Sequence, residues 1–180
     1  MRKVMHRLTT VFAVITITSI VLYKFTESVL VYSLGVTFFT FLYHFVMRLL
    51  VGLFCDNFVN PNPESKWFNQ KPFEKKLYKF LKVKKWKEHI PTYYPEAFDI
   101  EKNTLEQIEK SMCGAEVVHE IIMVLSFIPL LFAIPFGVFS VFFITSVIAS
   151  LVDSVFVIVQ RYNRPRIIKL IRHKNNSCKN

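Results

Sequence analysis

The sequence predicts an all-α protein that crosses a membrane about four times and carries one amphipathic helix in the membrane interface. Three observations predict it. The chain of 180 residues is 52% hydrophobic and only 20% charged, with 19 Phe, a balance that suits lipid contact better than a soluble core. Its apolar residues gather into long runs, near the 20 or so residues that a helical span needs. Its Lys and Arg gather outside those runs.

The expected arrangement is a single membrane domain over residues 1–180, with spans at about 8–23, 29–54, 117–134 and 136–159. The first run, LTTVFAVITITSIVLY, is short, and Lys24 at its end suits snorkelling. Its basic lead, MRKVMHR, has the look of a signal peptide, but YKFTES follows in place of a small-residue cleavage site. A retained helix is the expectation. Pro135 to Gly137 forms an uncharged hairpin between the last two spans.

Arg2, Lys3 and Arg7 precede the first span, the 55–115 loop is rich in Lys, and the 160–180 tail is basic. The positive-inside rule then puts both termini and the long loop in the cytoplasm, as a multi-pass protein of the cell membrane. The net charge of +10 reports that topology and contact with anionic lipid. No nucleic-acid motif is present, so membrane lipids are the expected partners. The pattern specifies no oligomeric state. Cys55, Cys113 and Cys178 have no CxxC spacing and cannot all pair, which suits reduced cytoplasmic thiols.

Within the loop, KWFNQKPFEKKLYKFLKVKKWK (Lys66 to Lys87) interleaves lysines with Trp67, Phe68, Phe73, Leu77, Phe80, Leu81 and Trp86. Pro72 suits a first turn, and Phe73, Leu77, Phe80 and Leu81 recur at helical spacing. An interfacial helix is expected here, as a lipid-contacting surface or a platform for an amphiphilic substrate. Further on, Asn103 or Thr104 is placed to cap a helix, with Glu106 and Gln107 in its first turn.

Ionisable residues inside spans are costly and mark candidate sites. They are His44 and Arg48, four apart on one face; Glu116, His119 and Glu120, at i, i+3 and i+4; and Asp153. In the last span Ser146, Ser150, Asp153 and Gln160 share a stripe interrupted by Val157. At 1.5 Å per residue Asp153 stands about 10 Å from Gln160 along the helix. With the expected topology all these groups share one depth near the cytoplasmic face, where three helices can turn them towards one site. Packing pairs, such as Arg48 with Asp153, are the plainer use of the same residues.

The pattern suits acyl transfer. His119 has a side chain fit to take a proton from a hydroxyl attacking an acyl carbonyl, with Glu116 to orient it. Arg161, Arg164 and Arg166 suit phosphate or carboxylate, and Asn163 and Gln160 suit a developing oxyanion. ExxH is also half of a di-metal carboxylate pattern, which would draw on Glu116, His119, Glu120 and His44. The HEXXH and HxxxxD motifs are absent, and five histidines are too few for a His-rich membrane desaturase.

VKKWKEHIP, GAEVVHE and VIVQRYNRPRIIKLIR occur in that order. Together, over roughly Lys66 to Arg172, they resemble the glycosyl-diaponeurosporenoate acyltransferase family of staphyloxanthin-type carotenoid biosynthesis. The resemblance implies transfer of a fatty acyl group to a sugar hydroxyl of a membrane glycolipid. It draws attention to Trp86 and Lys87, to Glu116 and His119, and to Gln160, Arg161, Tyr162, Asn163, Arg164 and Arg166. The first sixty residues, with His44 and Arg48, do not share it, which leaves another glycolipid or lipid alcohol open as acceptor. A cytoplasmic site suits a thioester donor, acyl-CoA or acyl carrier protein, with no bound cofactor and no metal required. The other class of reading is a non-enzymatic lipid-binding or accessory protein whose charges pair internally.

Overall fold

The computed structural model describes residues 2–177, so Cys178 lies outside the described residues. The chain is all helical, with no strand among the described residues. The long helices are α1 (Arg2–Thr26), α2 (Val29–Phe58), α5 (Leu105–Leu125) and α7 (Phe139–Ser177). Shorter ones are α3 (Glu74–Phe80), α4 (Val83–Trp86) and α6 (Ala133–Phe136). Among the described residues, four stretches are long and apolar enough to cross a membrane: Lys3–Thr26, Val29–Phe58, Leu105–Phe136 and Phe139–Ser177. The protein is therefore an all-α polytopic membrane protein. The chain divides into two compact units, Met1–Phe54 with Ile121–Asp153, and Cys55–Glu120 with Ser154–Asn180.

The first unit has its polarity reversed relative to a soluble bundle. On α1 the buried positions are Thr16 and Ser19, while Val11, Val14, Ile17 and Ile20 face outwards. Lipid explains this: apolar side chains lose nothing by facing hydrocarbon, and helices associate through small residues that let backbones approach. A Cβ on Gly35 of α2 would stand 3.3 Å from the Ser19 Cβ. Buried hydroxyls are satisfied along their own helices, Thr16 to the Phe12 carbonyl and Thr40 to that of Val36. Phe12 packs among Phe38, Phe41 and Phe45. Pro129 and Pro135 fall where the helix after α5 breaks up, and Tyr43 and Tyr32 donate to the carbonyls of Leu125 and Phe136 there. The turn into α7 is made by Gly137 and Val138, both at positive φ.

The second unit holds most of the predicted loop. The stretch expected as one interfacial helix is broken into short pieces: a 3-10 turn at Lys66–Phe68, then α3 and α4. The break is at Lys82, whose φ of 52° is left-handed. The Trp86 indole donates to the carbonyl of Leu81 and pins the bend. On α3 the buried side chains are Glu74 and Tyr78. Phe73 and Phe80 are 62% and 82% exposed, so the apolar side of this segment faces out, as an interfacial surface would. Thr104, not Asn103, caps α5: its hydroxyl accepts from the Gln107 amide, and the Gln107 side chain accepts from the Thr104 amide. This is a reciprocal capping box. Cys55 and Cys113 are free and buried.

The QRYNRPR stretch lies inside α7 rather than beyond its end, and Pro165 is accommodated within the helix. The span expected to stop near residue 159 therefore continues as helix through a polar turn and onward to Ser177.

Candidate active site

Helical geometry sorts QRYNRPR onto separate faces. Arg161 and Arg164 are three apart and share one face; Tyr162 and Arg166 are four apart and share another. The two faces have different fates in the second unit.

Arg161 is held by the chain's own acceptors. Its Nε donates to Glu74 Oε1 at 2.9 Å, and its terminal nitrogens reach Glu116 Oε1 and the carbonyls of Trp67 and Asn69. Arg164 donates to Glu109 at 2.8 Å and to the carbonyls of Phe68 and Pro63. Arg161 meets Glu116 while Arg164 meets Glu109, so α5 and α7 run antiparallel here, and both arginines tie the 63–69 segment to α7. Such charged contacts survive burial because each charge has an opposite partner and further hydrogen bonds. Two of the three arginines expected to hold a substrate anion are thus engaged internally.

Glu74 and Glu109 were not singled out by the sequence. Glu74 is the one acid between Lys66 and Lys87, and Glu109 stands two turns before Glu116 on the same helix face. Those were the available signals. Glu74 uses both oxygens, accepting from Arg161 and from the Tyr78 hydroxyl at 2.8 Å. Burial first, then that hydrogen bond, pushes the Tyr78 phenol above its usual range, so it stays a neutral donor.

Glu116 is fully buried. One oxygen accepts from Arg161; the other, Oε2, has no hydrogen-bond partner. One turn further along α5, the His119 ring is stacked on Phe156, with centroids 4.6 Å apart and planes 7° from parallel. The neighbouring Glu120 accepts from the Trp67 indole at 2.9 Å. Gln160 is half-buried on α7.

On the other face, Lys87 donates to Asn163 Oδ1 at 3.1 Å. Because an ammonium can only donate, the amide must present its oxygen to Lys87, which leaves the Asn163 NH2 to donate elsewhere. Arg166 lies over the Tyr162 ring at 4.6 Å and donates to its hydroxyl at 2.8 Å. Trp86 serves the α3–α4 bend, as described above.

His44, Arg48 and Asp153 belong to the first unit. Arg48 is paired with Asp153, and donates to the carbonyls of His44 and Ala149. His44 is buried with neither ring nitrogen hydrogen-bonded. The residues expected at one site are therefore distributed over two units, with Glu116, His119, Trp86, Lys87 and the 160–166 stretch in the second.

Four apolar helices, buried ionisable side chains in each unit and a basic polar turn within the last helix define a polytopic helical membrane protein with a candidate catalytic site. Residues 64–173, more than half of the chain, match the family model described as glycosyl-4,4'-diaponeurosporenoate acyltransferase. The chain belongs to that family, and is an acyltransferase of carotenoid glycolipid biosynthesis. No curated protein and no solved structure matches it.

Proposed function

We propose that the protein moves a fatty acyl group from a thioester donor to a sugar hydroxyl of a membrane glycolipid, a glycosylated carotenoid acid or a related lipid-linked acceptor. The observation that carries this is the family match over residues 64–173, which contains the paired Glu116 and Arg161, His119 and the Lys87–Asn163 contact. The Lys and Arg distribution supports a place in the cell membrane with both termini and this chemistry on the cytoplasmic side, where thioester donors are made.

In the proposed reaction His119 takes the proton of the acceptor hydroxyl. The oxygen attacks the thioester carbonyl, and the NH2 of Asn163, with Gln160, donates to the oxyanion. The C–S bond breaks as the ester C–O bond is kept, and the proton passes from His119 to the leaving thiolate. Stacking on Phe156 supports this role, because it holds the imidazole plane fixed. Glu116 is tied to Arg161 and fully buried, so its part is to hold the α5–α7 frame on which His119 stands. Arg161 and Arg164 brace the frame, while Lys87 and Arg166 are the cations on the open face. The proposed chemistry uses no metal.

The test is His119→Ala in a strain that makes the acylated lipid. Loss of product with undiminished protein in the membrane supports the base; unchanged product would end the assignment.

A further inference from the structure

We propose that the second unit carries a binding site for a nucleotide polyphosphate, the coenzyme A end of the acyl donor, in the groove between the α3–α4 bend and Tyr162–Arg166 of α7. This rests on the acyl-transfer reading and names the donor that reading left as a class. The groove has a volume of about 510 Å³. It is lined by Lys75, Lys79, Lys82, Lys84, Lys85 and Arg166, and none of its lining residues is acidic among the described residues.

The backbone brings these cations together. On one continuous helix Lys75, Lys79 and Lys82 would share a face, but Lys84 would point to the opposite side. The left-handed turn at Lys82 starts a new helix there, and Lys84 and Lys85 line the same groove as the α3 lysines. A lysine in that conformation is strained, and strain of this kind gathers at ligand sites. The nearby acid does not cancel the charge: Glu74 is buried, with its oxygens taken by Arg161 and Tyr78.

The ligand chemistry follows from shape and walls. The volume lies within the roughly 300–1,000 Å³ usual for small-molecule sites. Tyr78 and Tyr162 meet edge to face at 5.5 Å and give the groove an aromatic wall. Arg166 is held over Tyr162 with one terminal nitrogen on the Tyr162 hydroxyl, and the rest of its planar fork suits phosphate. A diphosphate with an added monophosphate carries about four negative charges, the monoester alone about 1.5–2, which six cations balance. The exposed Phe73 and Phe80 lie across α3 from Lys75 and Lys79, so the apolar surface and the groove are separate faces.

The experiment uses the purified full chain in nanodiscs of phosphatidylcholine, titrated by calorimetry with coenzyme A, with adenosine 3',5'-bisphosphate and with pantetheine. Coenzyme A and the bisphosphate bind, and pantetheine, which has no phosphate, does not. K79Q/K84Q weakens both phosphate ligands about tenfold, the loss expected for two exposed charged contacts. K71Q/K76Q removes the same charge at exposed lysines outside the groove and leaves binding unchanged. Absence of binding by the bisphosphate, or equal losses in both double variants, overturns the proposal. So does a result in which only adsorption to phosphatidylglycerol vesicles falls in K79Q/K84Q, since the groove would then hold lipid headgroups. His119→Ala separates the two readings. Lost lipid product without bisphosphate binding keeps the acyl transfer and sinks the groove. Bisphosphate binding with product unchanged in that variant keeps the groove and sinks the proposed base.

Discussion

Replacing Arg161 with Met tests whether this guanidinium is the hub of the second unit. Its side chain is 13% exposed, and its carboxylate partners Glu74 and Glu116 are 5% and 1% exposed. Met keeps much of the length and removes every donor. Two buried carboxylates then lose their cation, and the carbonyls of Trp67 and Asn69 lose a donor. Removing one partner of a buried pair costs about 3–5 kcal/mol, because the remaining charge is stranded. That raises the unfolding constant by roughly two to three and a half powers of ten. The assay is equilibrium unfolding in mixed detergent–dodecyl sulfate micelles, followed by circular dichroism. Neutralising the stranded acids as well, in R161M/E74Q/E116Q, should recover more than half of the loss, since uncharged amides are far cheaper to bury than carboxylates. A loss below about 1 kcal/mol for R161M would mean that water screens the arginine as at any surface pair. A triple variant no better than the single one would equally refute the stranded-charge account.

Gly35→Leu should separate α1 from α2, because even a Cβ stands 3.3 Å from Ser19; a destabilisation of about 1–3 kcal/mol is expected from overpacking, with Gly35→Ala milder, and equal stability of both variants in detergent melts would contradict the close approach. Thr104→Ala removes the hydroxyl that accepts from the Gln107 amide; a loss of about 1 kcal/mol and faster exchange of that amide are expected, both restored by Thr104→Ser, and unchanged exchange would show that the cap is idle.

Several features were legible in advance because their causes are local. Long apolar runs report spans whatever the packing, and Thr-x-x-Gln before an apolar run reports a helix start, so α5 began beside Thr104 as its residues suggest. Arg48 with Asp153 was legible as a pair, since each needs an opposite charge inside a span. The interfacial helix was legible in its composition but not in its continuity: the break at Lys82 sits at a residue with no turn signal of its own. The extent of the last helix was hidden too, because a polar turn containing Pro165 reads locally as an ending.

The sequence by itself determined the helical class, the four spans, the candidate residues and the family, because hydropathy, charge and motif are properties of the chain order. Only the tertiary structure decided what those residues meet. Arg161 and Arg164 are bound to Glu74, Glu116 and Glu109, while Arg166 is left on a lysine-lined groove. Spacing gives the face on which a side chain stands. Its partner is set by which distant segment packs against that face, and no local pattern encodes that.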